Sequence, residues 1–173
     1  MATTYTLISS NVLSSSAASV TFSAIPSTYT DLVLRISARN SDTGRADVYL
    51  TVNGSGSSIY SATNVRGTGA AASSASYSAA AQFSFLQADS SSNTANTFGS
   101  LEIYIPNYLA SANKPMSAFG VQEDNSASTN AWIVANAMLF SSTTAISSLT
   151  IANPGAVTFN SGSSFYLYGI KKS

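Results

Sequence analysis

Histidine and cysteine are both absent from the 173-residue sequence. Without cysteine the chain can form no disulfide, no zinc finger and no thiol nucleophile. Without histidine it lacks the commonest general base, the serine–histidine–aspartate triad and the ligands of most catalytic zinc sites. A pair of carboxylates is the main catalytic option that is left. We therefore expect a protein that is not an enzyme.

Charge is also scarce. Only 8% of the residues are charged, against about 25% in ordinary soluble domains, and seven basic residues balance seven acidic ones. Binding to nucleic-acid phosphates requires a basic patch. The basic residues are instead scattered along the chain: Arg35, Arg39, Arg45, Arg66, Lys114, Lys171 and Lys172. The composition argues against nucleic acid as a partner, and a net charge of zero favours association between copies.

We expect neither a signal peptide nor a membrane-spanning helix. The N-terminus reads Met-Ala-Thr-Thr-Tyr-Thr-Leu-Ile, with neither the basic region nor the apolar region of a signal peptide. No apolar run reaches the length of about 18 residues that predicts a membrane span. The length fits one domain, so we expect residues 1–173 to form a single domain. The first predicted strand begins close to Met1 and the last ends close to the C-terminus, so we expect no tether segment.

Apolar and polar residues alternate with period two along much of the chain. In one example, Leu32, Leu34 and Ile36 alternate with Val33, Arg35 and Ser37. This pattern is typical of half-buried strands in antiparallel sheets. It recurs in Tyr5–Ile8, Val20–Phe22, Leu32–Arg39, Val48–Val52, Leu101–Ile105, Leu149–Ile151 and Phe165–Ile170. About ten short strands at this spacing predict an all-β antiparallel sandwich or barrel.

Some segments have a less regular pattern. Ala131–Phe140 is apolar on both faces. We expect a strand covered on one side by the second sheet and on the other by a neighbouring subunit; a buried helix is the alternative, although ten residues is short for one. Ser41–Gly44 and Asn53–Gly56 have the composition of hairpin connections.

Two further segments are rich in small polar residues. Gly67–Ala81 is mostly alanine and serine. It fits a weakly anchored strand or a loop packed against a partner, and its serines argue against a helix. Ala88–Thr97 is predicted to be a polar loop at one end of the sandwich.

Seven acidic residues could supply a carboxylate pair or a calcium site. Glu123 and Asp124 are expected in a solvated turn, and Asp31 is expected to accept hydrogen bonds at the start of a strand. A calcium site built from Asp42, Asp47 or Asp124 would lack the dense acidic spacing of known calcium loops. The sequence thus points to no catalytic, cofactor-binding or metal-binding residue. The acids are Asp31, Asp42, Asp47, Asp89, Glu102, Glu123 and Asp124.

Aromatic residues offer a different kind of site. Tyr49, Tyr104, Tyr166 and Tyr168 alternate with apolar residues and could line a face that stacks on sugars. For any one tyrosine, packing in the core or in a cross-strand pair is the simpler interpretation. As a set, outward tyrosines fit a protein interface better, because such interfaces are rich in tyrosine and poor in lysine and glutamate.

The order of several segments resembles small virion structural proteins of tailed bacteriophages, of the type found in phages of cyanobacteria and other aquatic bacteria. The resemblance spans almost the whole chain and is weakest over residues 67–97. Its motifs are strand and turn signatures, so they indicate a fold family more than a task. The segments are Tyr5–Ser10, Val20–Leu34, Asn53–Ser55, Tyr60–Ser61, Ile105–Tyr108 and Ser163–Ile170.

The resemblance implies a jelly-roll-like sandwich that assembles with itself, with a homotrimer as the expected state. It implies a head decoration or cement protein, made in the host cytoplasm and bound to the major capsid protein on the capsid exterior. The alternative role in the same family is a tail-fibre or receptor-binding module that binds carbohydrate. Neither role involves a cofactor, a membrane or nucleic acid.

Overall fold

The computed structural model describes residues 4–44, 47–125 and 131–171, which form two facing antiparallel sheets. The large sheet has eight strands in the order β1-β12-β3-β8-β9-β10-β5-β6, and the small sheet has four in the order β2-β11-β4-β7. The predicted all-β sandwich is confirmed, with twelve strands where about ten were expected. The strands are β1 (Tyr5–Val12), β2 (Ser19–Phe22), β3 (Asp31–Ala38), β4 (Asp47–Val52), β5 (Tyr60–Gly67), β6 (Ala72–Ala80), β7 (Phe83–Gln87), β8 (Gly99–Ile105), β9 (Lys114–Gln122), β10 (Trp132–Phe140), β11 (Leu149–Ala152) and β12 (Ser164–Ile170).

Eight of these strands have the connectivity of a jelly roll. They are β1, β12, β3 and β8 in the large sheet and β2, β11, β4 and β7 in the small sheet. When only these eight strands are numbered in chain order, the order across the large sheet is first, eighth, third and sixth. The small-sheet strands are the second, seventh, fourth and fifth. This order results from the two Greek keys of a jelly roll, as the sequence led us to expect.

The other four strands come from two hairpins inserted into the jelly roll. β5 and β6 follow β4, and β9 and β10 follow β8. They continue the large sheet beyond β8 in the order β9-β10-β5-β6, and we call them the extension. A tight turn closes the β5–β6 hairpin, where the Thr68 amide donates to the Ala71 carbonyl over 3.0 Å.

The core lies between the two sheets. Leu32, Leu34 and Ile36 of β3 point inward and are buried, as the alternation predicts. Gly169 of β12 also points inward, and the ring of Tyr29 packs directly on it. A Cβ atom added at Gly169 would lie 2.2 Å from that ring, so only glycine fits at this position.

The structure corrects two predictions about local geometry. Ser41–Gly44 and Asn53–Gly56 are not hairpin connections, because each links strands of different sheets. The segment Ala131–Phe140 does contain a strand, β10, in which Val134 and Met138 are buried and Ile133 on the opposite face is 51% exposed. Within this chain β10 is covered on one side, and cover of the other side by a neighbouring subunit stays a prediction.

The loop between β7 and β8 is ordered around a buried arginine. Arg39 was predicted on the outward face of β3, but that strand ends at Ala38 and the Arg39 side chain is only 8% exposed. Its guanidinium donates to the carbonyls of Ser91, Asn93 and Thr94 at 2.9–3.2 Å and lies 3.4 Å from the Asp89 carboxylate. The Arg39 side chain therefore holds the predicted polar loop together with Asp89, which accepts hydrogen bonds from Asn93 and Thr97.

Candidate functional site

The outward face of the large sheet is the most distinctive surface of the molecule. It spans all eight strands of that sheet, and its two halves differ in chemistry. The jelly-roll strands carry tyrosines together with one ion pair. The extension carries exposed apolar side chains among small residues. We call these two surfaces the aromatic half and the apolar half.

Three of the four tyrosines singled out in the sequence meet on the aromatic half. Tyr168 of β12 and Tyr104 of β8 lie on either side of Val33 in one cross-strand row. Tyr166 pairs with Arg35 of β3 in the next row. Tyr49 is elsewhere, on β4 of the small sheet. The alternation in β8 and β12 predicts that their tyrosines point to the side opposite the core. It does not predict which sheet each strand joins, because that depends on the topology.

An ion pair lies among these tyrosines. The Arg35 Nε donates to Glu102 Oε2 over 2.8 Å, and both side chains are about half exposed. The same guanidinium lies 5.9 Å from the centre of the Tyr168 ring and 6.0 Å from that of Tyr5, which is within cation–π range. The Arg35 guanidinium therefore contacts three side chains, those of Glu102, Tyr168 and Tyr5.

Tyr104 has its own acidic partner. Its hydroxyl donates to Asp31 Oδ2 over 2.8 Å, and Asp31 Oδ1 accepts the Asn107 amide over 2.8 Å. The hydrogen bond to Asp31 raises the pKa of Tyr104. Asp31 does accept hydrogen bonds, as predicted, although both come from the β8 side and not from its own turn.

A shallow cavity of about 340 Å³ opens on the aromatic half. Arg35, Glu102 and the Tyr166 ring line it, and its surface is divided almost evenly between polar and apolar groups. Serine hydroxyls of three strands complete its rim, from Ser37, Ser100 and Ser164. A flat depression of this kind offers stacking and hydrogen bonding but does not enclose a ligand.

The apolar half consists of exposed side chains on β9, β10 and β5. Phe119 is 52% exposed, Ile133 is 51% exposed and Val65 is 55% exposed. Ala135 lies between Phe119 and Val65 in one row, and Val121 lies beside Ile133 in the next. Contiguous exposed apolar side chains are a feature of interaction surfaces and of ligand-binding grooves.

The sequence pattern did not reveal most of the apolar half. Only Ile133 lay in a segment that was recognised as a strand. In β9 the inward positions mix the apolar Met116 and Ala118 with Lys114, Gly120 and Gln122, whereas Phe119 and Val121 point outward. Because apolar residues occur on both faces of this strand, its alternation gives no clear apolar side.

Most of the acidic residues have a hydrogen-bond partner that accounts for their position. The partners of Asp31, Asp89 and Glu102 are described above. Asp42 accepts a hydrogen bond from the Gly44 amide over 2.9 Å. Glu123 accepts one from the Asn125 amide over 2.9 Å. Asp124 is buried, so the prediction that it lies in a solvated turn is wrong. Within residues 4–44, 47–125 and 131–171, no three acids cluster as a metal site would require.

A second basic residue is buried away from the outward face. The ammonium of Lys114 donates to the carbonyls of Ala112, Ser142 and Thr144 at 2.8–3.1 Å. Burial lowers the pKa of Lys114. With Arg39 and Lys114 both inside, the surface has even less positive charge than the composition indicates.

Comparison with known proteins adds no family to this description. A scan against protein-family models and a search of curated proteins both find no match. Among the residues that the structure describes, no helix is long and apolar enough to cross a membrane. The geometry of the outward face is therefore the basis of the functional argument.

Proposed function

We propose that this protein is a structural protein of a bacteriophage virion that decorates the outside of the head and cements the capsid lattice. It acts by contact and not by catalysis. In this proposal the copies form homotrimers, and each copy binds the major capsid protein through its outward face. The proposal extends the resemblance found in the sequence.

The exposed apolar half is the observation that carries this proposal. Phe119, Val121, Ile133 and Val65 share the outward face of the extension, where Phe119 lies beside Glu102 of the Arg35–Glu102 pair. Protein interfaces have this composition at their centre, with aromatic residues enriched and charged residues depleted. Jelly rolls form both viral capsid proteins and lectins, so the fold is compatible with the proposal but does not carry it.

Cementing follows from many moderate contacts. A standard interface buries about 1,600 Å² in total, and a copy that touches several neighbours forms more than one. Because the protein binds assembled lattice and not free subunits, its binding shifts the equilibrium toward the assembled shell. A trimer fits the local threefold positions of a capsid lattice, since closed cyclic symmetry is the rule for homo-oligomers.

Copy number in purified virions tests the location. Quantitative mass spectrometry should give hundreds of copies per particle, in a ratio near one to the major capsid protein. A count of a few to a few tens of copies would contradict head decoration.

Binding to heads that lack the protein tests the surface. Ile133→Glu places a charge in the apolar half and should weaken binding tenfold or more, because a carboxylate would be desolvated in the interface. Ser19→Glu, on an exposed position of β2 in the small sheet, is the matched control and should bind like the unchanged protein. Equal binding by both variants would rule out the apolar half as the contact surface.

A carbohydrate-binding role on the phage tail is the second candidate. The observation that favours it is that Tyr166, Arg35 and Glu102 line a shallow cavity, with Tyr104 and Tyr168 in the neighbouring row of the same face. In this case binding to polysaccharide of the host should be measurable by calorimetry and should be lost in Tyr166→Ala. Tyr49→Ala on the small sheet is the control. Absence of binding by the unchanged protein would remove this candidate.

A further inference from the structure

The strand at one edge of the large sheet, β6, is largely exposed. β6 is the last strand of that sheet, and within the described residues it pairs only with β5. Most of its nine residues are exposed, on both of its faces. Its sequence, Ala-Ser-Ser-Ala-Ser-Tyr-Ser-Ala-Ala, contains no charged residue and no proline. These are the two residue classes that usually protect an edge from pairing with another chain.

The other sheet edges are short or irregular. In the small sheet, β2 has only four residues and β7 is interrupted by a bulge between Val48 and Leu50 of its partner. The opposite edge of the large sheet, β1, has a register shift in its middle, between Leu7 and Ser9. In β6 the only shift lies at the end, so Ala72–Tyr77 remains regular. This strand is therefore the best template for pairing.

The hydrogen-bond pattern of the hairpin shows which amides of β6 point outward. Because Thr68 donates to Ala71, these two residues form a hydrogen-bonded pair. Such pairs alternate along an antiparallel ladder, so Ser73 and Ala75 direct their backbone groups toward β5. Ala72, Ser74 and Ser76 then direct theirs away from the sheet, toward open space.

We propose that β6 pairs with β6 of a second copy of this chain, antiparallel about a twofold axis at Ser74. This register sets Ser74 opposite Ser74 of the partner subunit and Ala72 opposite the partner's Ser76. All three outward residues then lie in the regular part of the strand and form about six backbone hydrogen bonds. The small side chains do not obstruct the approach, and neither strand contributes a charge that would repel the other.

The pairing also joins two contact surfaces. Ser74 lies beside Val65 on the outward face, so two paired sheets present their apolar halves as one continuous surface. The inference concerns the chain in solution and does not depend on the particle that it decorates. A twofold contact at this edge is compatible with a threefold contact elsewhere on the molecule.

Disulfide trapping tests the register against a clean background, because the natural chain has no cysteine. In the proposed pairing the two Cα atoms at position 74 lie about 5.5 Å apart, within the range of a disulfide. Under mild oxidation Ser74→Cys should form covalent dimers. Ser76→Cys alone should not, since its two copies would be about 14 Å apart. A mixture of Ala72→Cys and Ser76→Cys should give the mixed dimer.

The pattern of the three results decides the inference. Dimers of Ser74→Cys and of the mixture, without dimers of Ser76→Cys alone, support it. Equal trapping of Ser74→Cys and Ser76→Cys would reveal random collision and overturn it, as would no trapping at all. Circular dichroism of each variant checks that the exposed substitution leaves the fold intact.

A charge variant tests the pairing without any cross-link. Ser74→Lys brings two ammonium groups directly opposite each other, so its dimer dissociation constant should rise at least tenfold in sedimentation equilibrium. Ser117→Lys, on an exposed position of β9, should dimerise like the unchanged chain. A monomeric unchanged chain at high concentration would also overturn the inference, whatever the copy number in virions.

Discussion

The jelly roll and its extension belong to one continuous sheet but are covered to different degrees. In β3 and β8 the inward side chains are leucines and isoleucines that the small sheet covers completely. In the extension the inward positions include Asn64, Asn136 and Gln122, and β6 is exposed on both faces. The jelly roll has the stronger apolar core, and the extension presents more surface for contacts.

The difference comes from how far the small sheet reaches. Its last strand, β7, packs against β9, β10 and β5. The narrow cleft beneath β7 is lined mostly by apolar groups, with Gln87, Gln122 and Asn136 among them. The Asn136 side chain donates to the Phe85 carbonyl over 3.3 Å. A strand that has no covering layer cannot bury large apolar side chains, so the Ala and Ser residues of β6 suit its position.

One arginine in each region allows the largest test of this comparison. Arg39→Ala should lower the free energy of unfolding by about 3–5 kcal/mol, because it leaves the buried Asp89 carboxylate without its cation. In the extension, Arg66 lies 4.7 Å above the Trp132 ring and donates to Ser73. Arg66→Ala should cost about 0.5–1 kcal/mol, as expected for a partly exposed cation–π contact. Urea unfolding followed by far-UV circular dichroism measures both.

Comparable losses in the two arginine variants would contradict the comparison, because they would mean that the extension is as tightly held as the jelly roll. The single tryptophan, Trp132, lies in the extension and gives an independent probe. Its fluorescence should change at lower urea concentration than the circular dichroism if the extension opens first, since coincident transitions are the mark of two-state unfolding.

The same contrast explains how much of the structure could be predicted from sequence. The jelly-roll strands β3, β8 and β12 were recognised because Leu34, Ile103 and Leu167 alternate with polar or aromatic residues. The strands β5 and β9 were missed because their buried positions include Asn64, Lys114 and Gln122, which interrupt the apolar period. The strand β6 was left ambiguous because a strand that no second layer covers needs no apolar period. Propensity is a weak guide in such strands, which are specified mainly by their pairing partners.

The two halves of the candidate site differed in the same way. Tyr104, Tyr166 and Tyr168 were identified from their alternation, because each strand that carries them has a clear apolar side. Phe119 and Val65 were not identified, since their strands have polar inward residues and no clear apolar side. That Tyr49 lies on the other sheet also could not be predicted, because sheet membership follows from long-range pairing.

The dependence of stability on alkaline pH is a test whose expected effect is of intermediate size. Burial raises the pKa of Tyr60 and Tyr108 in the core and of Tyr77 in the extension. Below about pH 10 both the folded and the unfolded chain keep these protons, so stability is complete. As the pH rises further the unfolded chain ionises first, and the free energy of unfolding falls. Tyr60 and Tyr108 each account for at most about 1.4 kcal/mol per pH unit.

The lowered pKa of Lys114 changes the free energy of unfolding in the opposite direction, but it is one group against three tyrosines. Burial lowers the pKa of Lys114. Between that lowered pKa and about pH 10.4, the unfolded chain holds a proton that the folded chain has lost. The free energy of unfolding therefore rises with pH in this range.

Urea titrations from pH 7 to 11.5 should show the net loss of stability above pH 10. Tyr108→Phe should make that loss shallower. An unchanged slope in Tyr108→Phe would mean that this phenol ionises freely in the folded chain.

Two alanines with positive φ allow the smallest and sharpest test. Ala24, in the jelly-roll connection between β2 and β3, has φ 51°, and Ala79, in the bulge of β6, has φ 52°. A side chain disfavours this conformation, so glycine at Ala24 should raise the free energy of unfolding by about 0.5–1 kcal/mol.

The same substitution at Ala79 separates local from global stability. If β6 opens before the rest of the fold, Ala79→Gly should leave the global unfolding free energy nearly unchanged and instead slow hydrogen exchange of the β6 amides. The exchange is measured at low protein concentration, so that β6 remains unpaired. Equal global gains from Ala24→Gly and Ala79→Gly would show that β6 unfolds only together with the jelly roll. In that case the exposed edge would be a rigid template for a second copy, and pairing would cost no ordering of the strand.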